Sequence, residues 1–460
     1  MFSVTEVLKA TNGKFLTVSE LTRIKGVSID GRTIQRDELF IAIKGLRCNG
    51  HMFVADALKK GARGTVICSK NPIPPYVMEL AKKTDCFIIS VSDTLKAFGE
   101  IASFHRKKFD IPIVAITGSN GKTTTKEMVE CVLREKWSPL KNIGTQNNLI
   151  GVPLTLLKLA DKNKSAVIEL GMNRRKEIKR LTEIVRPNIG VVTNIGPAHL
   201  EYLKSLEGVY RAKRELLDFL GKGDIAVLNN DDAHLNRFRK KELKIFTFGI
   251  KTDSDFQAKD IKRERNGWRF SVKGESYFIP LTPYHDIYNS LIAISIGILF
   301  NVKSEKIRES LSNYAPLENR MARRIFKGIE FIDDTYNSNP LSMENAIKTL
   351  ADYRAKGKRI LISGDMLELG NKAPYYHKKI GALVACSGID DFIGVGKLMR
   401  NGFLAAKKSG MENTWFCQSK KEVVTLLKRI AQPDDVVLVK GSRAIKMEDV
   451  ITCFITSFTH

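Results

Sequence analysis

The stretch I-V-A-I-T-G-S-N-G-K-T-T-T-K, residues Ile113 to Lys126, decides how this chain is read. Ile113 to Ile116 form an apolar run that reads as a buried parallel strand. Gly118 and Gly121 make a turn, and a helix starts near Thr123. Glycines at such a turn let backbone N–H groups converge on a polyphosphate at a helix N-terminus. Lys122 adds a mobile positive charge, and the Thr123 hydroxyl can ligate magnesium. The stretch T-G-S-N-G-K-T-T is shorter between its glycines than the common G-x-x-x-x-G-K-[ST] loop, which narrows the kinds of protein that carry it.

The chain around this loop has 460 residues, and a prior of about 150 residues per domain suggests three domains. With 43% hydrophobic and 27% charged residues it reads as a soluble globular protein. Met1 to Ala10 carries Glu6 and Lys9 and does not read as a secretory signal. The longest apolar segment, Ile287 to Phe300, contains Asn289 and is shorter than the roughly 20 residues of a membrane span, so it reads as a core helix. The cysteines form no C-x-x-C pair and number seven, which fits reduced thiols in a cytoplasmic enzyme better than a disulfide framework or a zinc site. The formal net charge of +25 points to nucleic acid, to small anionic substrates or to solvated basic faces. Arg174 to Lys176, Arg239 to Lys241 and Arg323-Arg324 are short clusters without interleaved aromatics, which favours solvated faces over a nucleic-acid module.

Ahead of the loop, Leu39 to Ile43, Thr65 to Cys68 and Phe87 to Val91 read as strands of a compact α/β unit. A polar turn at Ser28 to Arg32, a glycine-bounded loop at Gly45 to Gly50 and a helical segment at Phe53 to Lys60 lie among them. Arg32 and Lys44, beside glycines, can hold phosphate or stand as surface charges. After the loop, Thr145 to Pro153 is rich in amides and suits a binding loop. Ser165 to Leu170 and Ile189 to Ile195 read as further buried strands, followed by Val209 to Leu220 as an amphipathic helix and Ala226 to Asn229 as another strand. Glu169 and His199 fall at the carboxyl ends of strands, where doubly wound sheets bind ligands. They are candidate magnesium ligands, or a salt-bridge carboxylate and a satisfied loop histidine. Lys251 to Pro280 reads as a small sheet. Asn289, at the entrance to the apolar helix, can cap it or read a base. From Ile329 onward, strands at Lys358 to Ser363, Asp391 to Val395, Asn413 to Cys417 and Asp435 to Lys440 alternate with helices. This is a Rossmann-like pattern without the dinucleotide fingerprint, so NAD binding is not expected.

T-G-S-N-G-K-T-T-T-K-E, N-N-L-I-G-V-P-L-T-L-L, V-I-E-L-G-M-N, N-I-G-P-A-H-L-E, D-D-T-Y-N-S-N-P, G-D-M-L-E-L-G and V-K-G-S-R occur here in this order. Together they resemble the ATP-dependent Mur ligases over nearly the whole chain. Y-N-S-N-P with G-D-M-L-E-L-G resembles the branch that joins D-alanyl-D-alanine to UDP-N-acetylmuramoyl-tripeptide. The resemblance implies an α/β protein of three domains: 1–105 for the UDP-sugar, 106–315 as a central P-loop parallel-sheet domain of ATPase type, and 316–460 as a Rossmann-like C-terminal domain. It also implies a cytoplasmic enzyme of peptidoglycan precursor synthesis, acting as a monomer with neither nucleic acid nor a membrane span.

Carried over by position, Gly118, Ser119, Asn120, Gly121, Lys122, Thr123 and Thr124 cradle the ATP phosphates. Asn289 reads adenine, and Arg320 and Asp334 reach the nucleotide from the C-terminal domain. Thr123, Glu169, His199 and a carbamylated Lys213 surround magnesium, and Lys122, Glu169, His199 and Lys213 form the catalytic set. Asp30, Arg32, Lys44, Gly45 and His51 match the uridine-diphosphate site, and Asn147 and Asn148 the muramoyl-peptide loop. Asn337 and Asn339 can meet the acceptor dipeptide. The chain departs from the family pattern at Gly31, Asn49, Pro283, Asp286 and Asn319; at Asp286 the pattern usually has Asn. Other ligases of the family, or a basic P-loop protein acting on nucleic acid, are the alternatives.

Overall fold

The computed structural model describes residues 1–19, 23–45, 48–264, 266–280 and 283–458. Leu46 and Arg47 of the Gly45 to Gly50 loop, and Arg265 of the small-sheet segment, lie outside them. Three α/β layers follow one another along the chain. The first is a five-stranded sheet in the order Lys14–Thr17, Phe87–Val91, Gly64–Cys68, Glu38–Ile41, Gly26–Ser28. Its edge strand Lys14–Thr17 pairs antiparallel and the others pair parallel. Phe40, Ile67 and Ile88 pack with Val54, Leu58 and Val77 to form its core.

The central sheet has seven strands in the order Phe256–Gln257, Lys244–Gly249, Ile225–Asn229, Ile189–Val192, Ile113–Thr117, Ser165–Glu169, Pro139–Lys141. All residues of Ile113–Thr117, Ser165–Glu169 and Ile189–Val192 are buried, the polar Thr117, Ser165 and Glu169 at the strand ends included, and their apolar centres are those of a parallel sheet covered on both faces. Strand order reverses at Ile113–Thr117, because the chain next visits one side of it and then the other. Loops leaving a parallel sheet at such a switch point open a crevice beyond the carboxyl ends, and the phosphate loop leaves from there. The small sheet expected within Lys251 to Pro280 is formed by Lys259–Glu264, Gly267–Val272 and Glu275–Pro280, which pair antiparallel.

The C-terminal sheet runs Ala322–Phe326, Ile329–Asp334, Val436–Lys440, Arg359–Gly364, Asp391–Val395, Thr414–Cys417. Its last five strands are parallel, with the Rossmann-like alternation. Ala322–Phe326 adds an antiparallel edge that the sequence pattern did not announce. Lys327 and Gly328 make the two-residue turn with φ of +50° and +77°, the left-handed conformation that tight hairpins require.

The chain divides into two compact units. One comprises residues 1–115, 138–172 and 177–188, and the other 116–137, 173–176 and 189–460. No described helix is long and apolar enough to cross a membrane.

Candidate active site

The second unit holds the phosphate loop, and the helix Lys122–Trp137 begins directly at its lysine. Gly118 and Gly121 have φ of +153° and +80°. A Cβ on Gly118 would stand 1.8 Å from Thr193 Oγ1, and one on Gly121 would stand 2.4 Å from Asn289 Oδ1. Only glycine fits either place. Around them the loop is held by neighbouring backbone and amides. Ser119 N–H donates to Asn194 O at 3.0 Å, Asn120 N–H to Asn194 Oδ1 at 3.0 Å, and Thr193 Oγ1–H to Asn120 O at 2.6 Å. Ser119 Oγ exchanges hydrogen bonds with Gly196, donating to its O at 3.0 Å and accepting from its N–H at 2.8 Å.

Two lysines meet at this loop. Lys122 Nζ donates to Gly118 O at 2.9 Å and Ser119 O at 3.3 Å, while Lys213 Nζ donates to Gly118 O at 2.8 Å. Lys213 lies in the helix Leu206–Phe219 and is 2% exposed. Burial, and then the charge of Lys122, push its pKa well below the ordinary lysine value.

Arg320 Nη2 donates to Thr123 Oγ1 at 2.9 Å, and its guanidinium lies 3.9 Å from the centre of the Tyr336 ring. Asn339 Nδ2 donates to Asn120 Oδ1 at 2.7 Å, and Asn120 Nδ2 donates back at 3.3 Å. Asn339 also caps the helix Pro340–Ala351 in a capping box with Ser342. Asp334 accepts from the buried Lys440 Nζ at 2.5 Å, and Lys440 also donates to Asn337 O at 3.0 Å.

His199 Nδ1 lies 2.6 Å from Glu368 Oε2, and hydrogen bonding to His199 lowers the Glu368 pKa. The Glu368 loop is pinned from behind. Met366 N–H donates to Nε2 of the fully buried His377 at 3.0 Å, Leu367 N–H to Ser442 Oγ at 2.8 Å, and Ser442 N–H to Asp365 O at 3.1 Å. His377 Nδ1 therefore carries the proton and donates to Ala373 O at 2.7 Å.

Asn289 is 4% exposed and sits inside the helix Asp286–Leu299, whose cap position is His285. Of the two roles open to it, capping is ruled out. Its Nδ2 donates to Asp286 Oδ1 at 2.6 Å, and its Oδ1 accepts from Thr125 Oγ1 at 3.0 Å.

The first unit holds the remaining candidates. Glu169 is 1% exposed. Its Oε1 accepts from Asn147 Nδ2 at 2.7 Å, and its Oε2 is buried without a hydrogen-bond partner among the described residues. Asn148 Oδ1 accepts from the N–H groups of Ile150 and Gly151 at 3.0 and 2.9 Å, shaping the loop. Arg32 chelates Asp30 through Nε at 2.9 Å and Nη2 at 2.7 Å, and this holds the Asp30 pKa down at about 2. His51 Nε2 accepts from Cys68 N–H at 2.8 Å and its Nδ1 lies 2.9 Å from Asn49 Oδ1, so both ring nitrogens are engaged. Lys44 bridges to Asn49 beside Gly45.

The buried Glu169 Oε2 and the Thr123 hydroxyl are oxygen donors of the kind magnesium accepts, and the His199 imidazole is a borderline nitrogen donor that would serve through a bound water. Among the described residues no three His, Cys, Asp or Glu side chains converge on one point. Glu368, Lys440, Asn194, Tyr336 and His377 were given no role from sequence. Glu368 and Lys440 lie inside quoted motifs, but their partners are far away in the chain.

The chain is 33% identical over 444 residues to the UDP-N-acetylmuramoyl-tripeptide–D-alanyl-D-alanine ligase of Bacillus subtilis (strain 168), covering 95% of this chain and 94% of that one. The chain belongs to the Mur ligase family. Models of the Mur ligase family catalytic domain, the Mur ligase middle domain and the Mur ligase glutamate ligase domain match residues 23–106, 116–297 and 319–443. The Mur ligase of the same name from Escherichia coli (strain K12) is 33% identical over 98% of each chain. A crystal structure of MurF from Acinetobacter baumannii covers 99% of each chain with a TM-score of 0.89 at 27% identity. The MurF ligase of Thermotoga maritima, in complex with ADP, shares the Mur ligase fold at a TM-score of 0.81 and 24% identity, over 95% of this chain and 98% of that one.

Proposed function

We propose that the chain is an ATP-dependent amide ligase joining D-alanyl-D-alanine to UDP-N-acetylmuramoyl-tripeptide in cytoplasmic peptidoglycan precursor synthesis. The observation that carries this reading is the paired amides of Asn120 and Asn339. They set the Y-N-S-N-P loop, which marks this branch of the family, against the phosphate loop. Full-length likeness to ligases of that name supports it.

A carboxylate is a poor electrophile, so the tripeptide's terminal carboxylate must first take the γ-phosphoryl group of ATP, with ADP leaving. The dipeptide amine then attacks the acyl carbon, the amine proton is lost, and phosphate departs with the bonding pair. Gly118 to Thr124 cradle the phosphates, and Lys122 turns from its loop carbonyls to meet charge as it develops. Arg320 and Asp334 contact the nucleotide, and Asn289 reads adenine. Asp30, Arg32, Lys44, Gly45 and His51 hold the uridine diphosphate, Asn147 and Asn148 the muramoyl-peptide, and Asn337 and Asn339 the acceptor.

Magnesium, when bound, offsets the repulsion between anionic substrates. Thr123, Glu169, His199 and a carbamate on Lys213 are its ligands in this reading. A neutral, buried amine is the form that adds to carbon dioxide, which suits Lys213. We assign the three functional domains to 1–105, 106–315 and 316–460, in a protein acting as a monomer.

The test is phosphate release with UDP-N-acetylmuramoyl-tripeptide and ATP against a panel of acceptors. D-alanyl-D-alanine should outperform D-alanine, L-alanyl-L-alanine, meso-diaminopimelate and glutamate by about ten- to more than a hundredfold, since each misplaces a methyl, a charge or a carboxylate. A single amino acid outperforming the dipeptide would make this a different member of the family.

A further inference from the structure

Asp286 is a departure from the family pattern, and it lies against the residue assigned to the base. It opens the helix Asp286–Leu299 and is 7% exposed. Its Oδ1 accepts from Asn289 Nδ2 at 2.6 Å, while Asn289 Oδ1 accepts from Thr125 Oγ1 at 3.0 Å. The two contacts of the Asn289 amide differ in what they can enforce. A threonine hydroxyl can donate or accept, so Thr125 tolerates either orientation of the amide. An ionised carboxylate only accepts, so Asp286 admits the Nδ2 side alone. An asparagine at 286 could present either an oxygen or an N–H and would admit both.

We propose that Asp286 is a positioning residue that fixes the Asn289 amide in one orientation, so that one remaining N–H and one remaining lone pair face the adenine edge in a set order. The inference rests on the reading of Asn289 as the base contact.

The lock depends on charge. The Asp286 pKa is pushed up to about 7, by burial first and also by Asp334, against the lowering effects of the Asn289 hydrogen bond and of Arg320. Asp334 is itself paired with Lys440. Tyr314, buried beside this group, is pushed up by burial and then by Asp286, and so stays a neutral phenol. His285 Nε2 lies 4.0 Å away. Protein crowding holds that imidazole below its ordinary range although 35% of its side chain remains open to solvent. Asp286 is thus the group here that changes charge near neutrality. Once protonated it can donate as well as accept, and the amide is released to turn.

The test is ADP and GDP affinity by calorimetry on the full chain, for the wild type, Asp286→Asn and Asn289→Ala, across neutral pH. Titration of the nucleotide phosphates is common to all three proteins and cancels in their ratio. A hydrogen bond of ordinary strength corresponds to a factor of about two to ten in affinity. The wild type should therefore lose ADP affinity by about two- to tenfold more than Asp286→Asn as pH falls from about 8 to about 6. Asp286→Asn should also discriminate less between ADP and GDP at the upper pH. A merely structural Asp286 would shift both affinities together at every pH. Parallel pH profiles in the wild type and Asp286→Asn, with Asn289→Ala impaired, would overturn this inference alone. Unimpaired ADP binding by Asn289→Ala would overturn the assignment of Asn289, and the inference with it.

Discussion

Lys213 and Lys122 share one acceptor: both ammonium-bearing chains reach the carbonyl oxygen of Gly118, at 2.8 and 2.9 Å. Two cations on one carbonyl repel, and the buried one yields. Its pKa falls well below that of an ordinary lysine, by burial first and by Lys122 second. An uncharged amine in a closed site is a nucleophile, whereas an exposed helical lysine is not.

Lys213→Ala should therefore be inactive, and small carboxylates such as acetate should partly restore turnover by standing in for the carbamate. Lys213→Arg should remain inactive with acetate. Phosphate release measured with and without acetate decides the matter. Near-normal turnover by Lys213→Ala would return the residue to a packing role, for which the expected change in activity is small.

Lys122→Ala should lower turnover by at least about a hundredfold, equivalent to some 2.7 kcal/mol of transition-state stabilisation. Nucleotide affinity should fall less than turnover, because the charge the lysine meets builds up during transfer. Steady-state kinetics beside ADP titration separate the two, and a folded variant with ordinary turnover would remove Lys122 from the mechanism.

Gly121→Ala combines a φ of +80° with a Cβ 2.4 Å from the tethered Asn289 oxygen. Left-handed strain of this kind costs about 1 to 3 kcal/mol. Relief requires the loop or Asn289 to move. Thermal unfolding should shift down and ADP affinity should fall at least about tenfold, which is roughly 1.4 kcal/mol. Unchanged values of both would show that the loop has slack here.

Stability should also carry the sign of Asp286. The folded pKa of about 7 lies above the ordinary 3.8, so between those values the native state binds more protons than the unfolded chain. Wild-type stability from this group is present at low pH and is lost as pH rises through about 7. Asp286→Asn removes the effect. Relative to the wild type it should gain stability from about pH 4 to about pH 8, by up to about 4 kcal/mol. Urea unfolding at both ends of the range tests this, and an equal difference at the two ends would contradict it.

Apolar runs and glycine spacing made the central layer legible in the sequence. Residues 113–116 and 166–168 are unbroken apolar runs with no polar alternation, which marks strands buried on both faces. The edge strand Ala322–Phe326 escaped notice because its residues are exposed or half-exposed, so no burial pattern marks it. Lys213 is instructive in another way. Val209, Ala212, Leu216 and Leu217 are the buried stripe of its helix, and Lys213 occupies a position within that stripe. A charged residue at an apolar spacing was a signal of burial available without any family resemblance. Glu368 offered no such signal, since its partner His199 lies 169 residues away.

His377 touches none of the groups assigned to substrate, yet it holds the backbone from which Glu368 reaches His199. A search for inactivating substitutions across this chain would thus return His377 and Ser442 beside the lysines of the phosphate loop, and nucleotide titration would find their nucleotide binding intact. The lesion in such variants is one of aim: the chemical groups survive, and what is lost is the scaffold that keeps an acid and an imidazole facing each other.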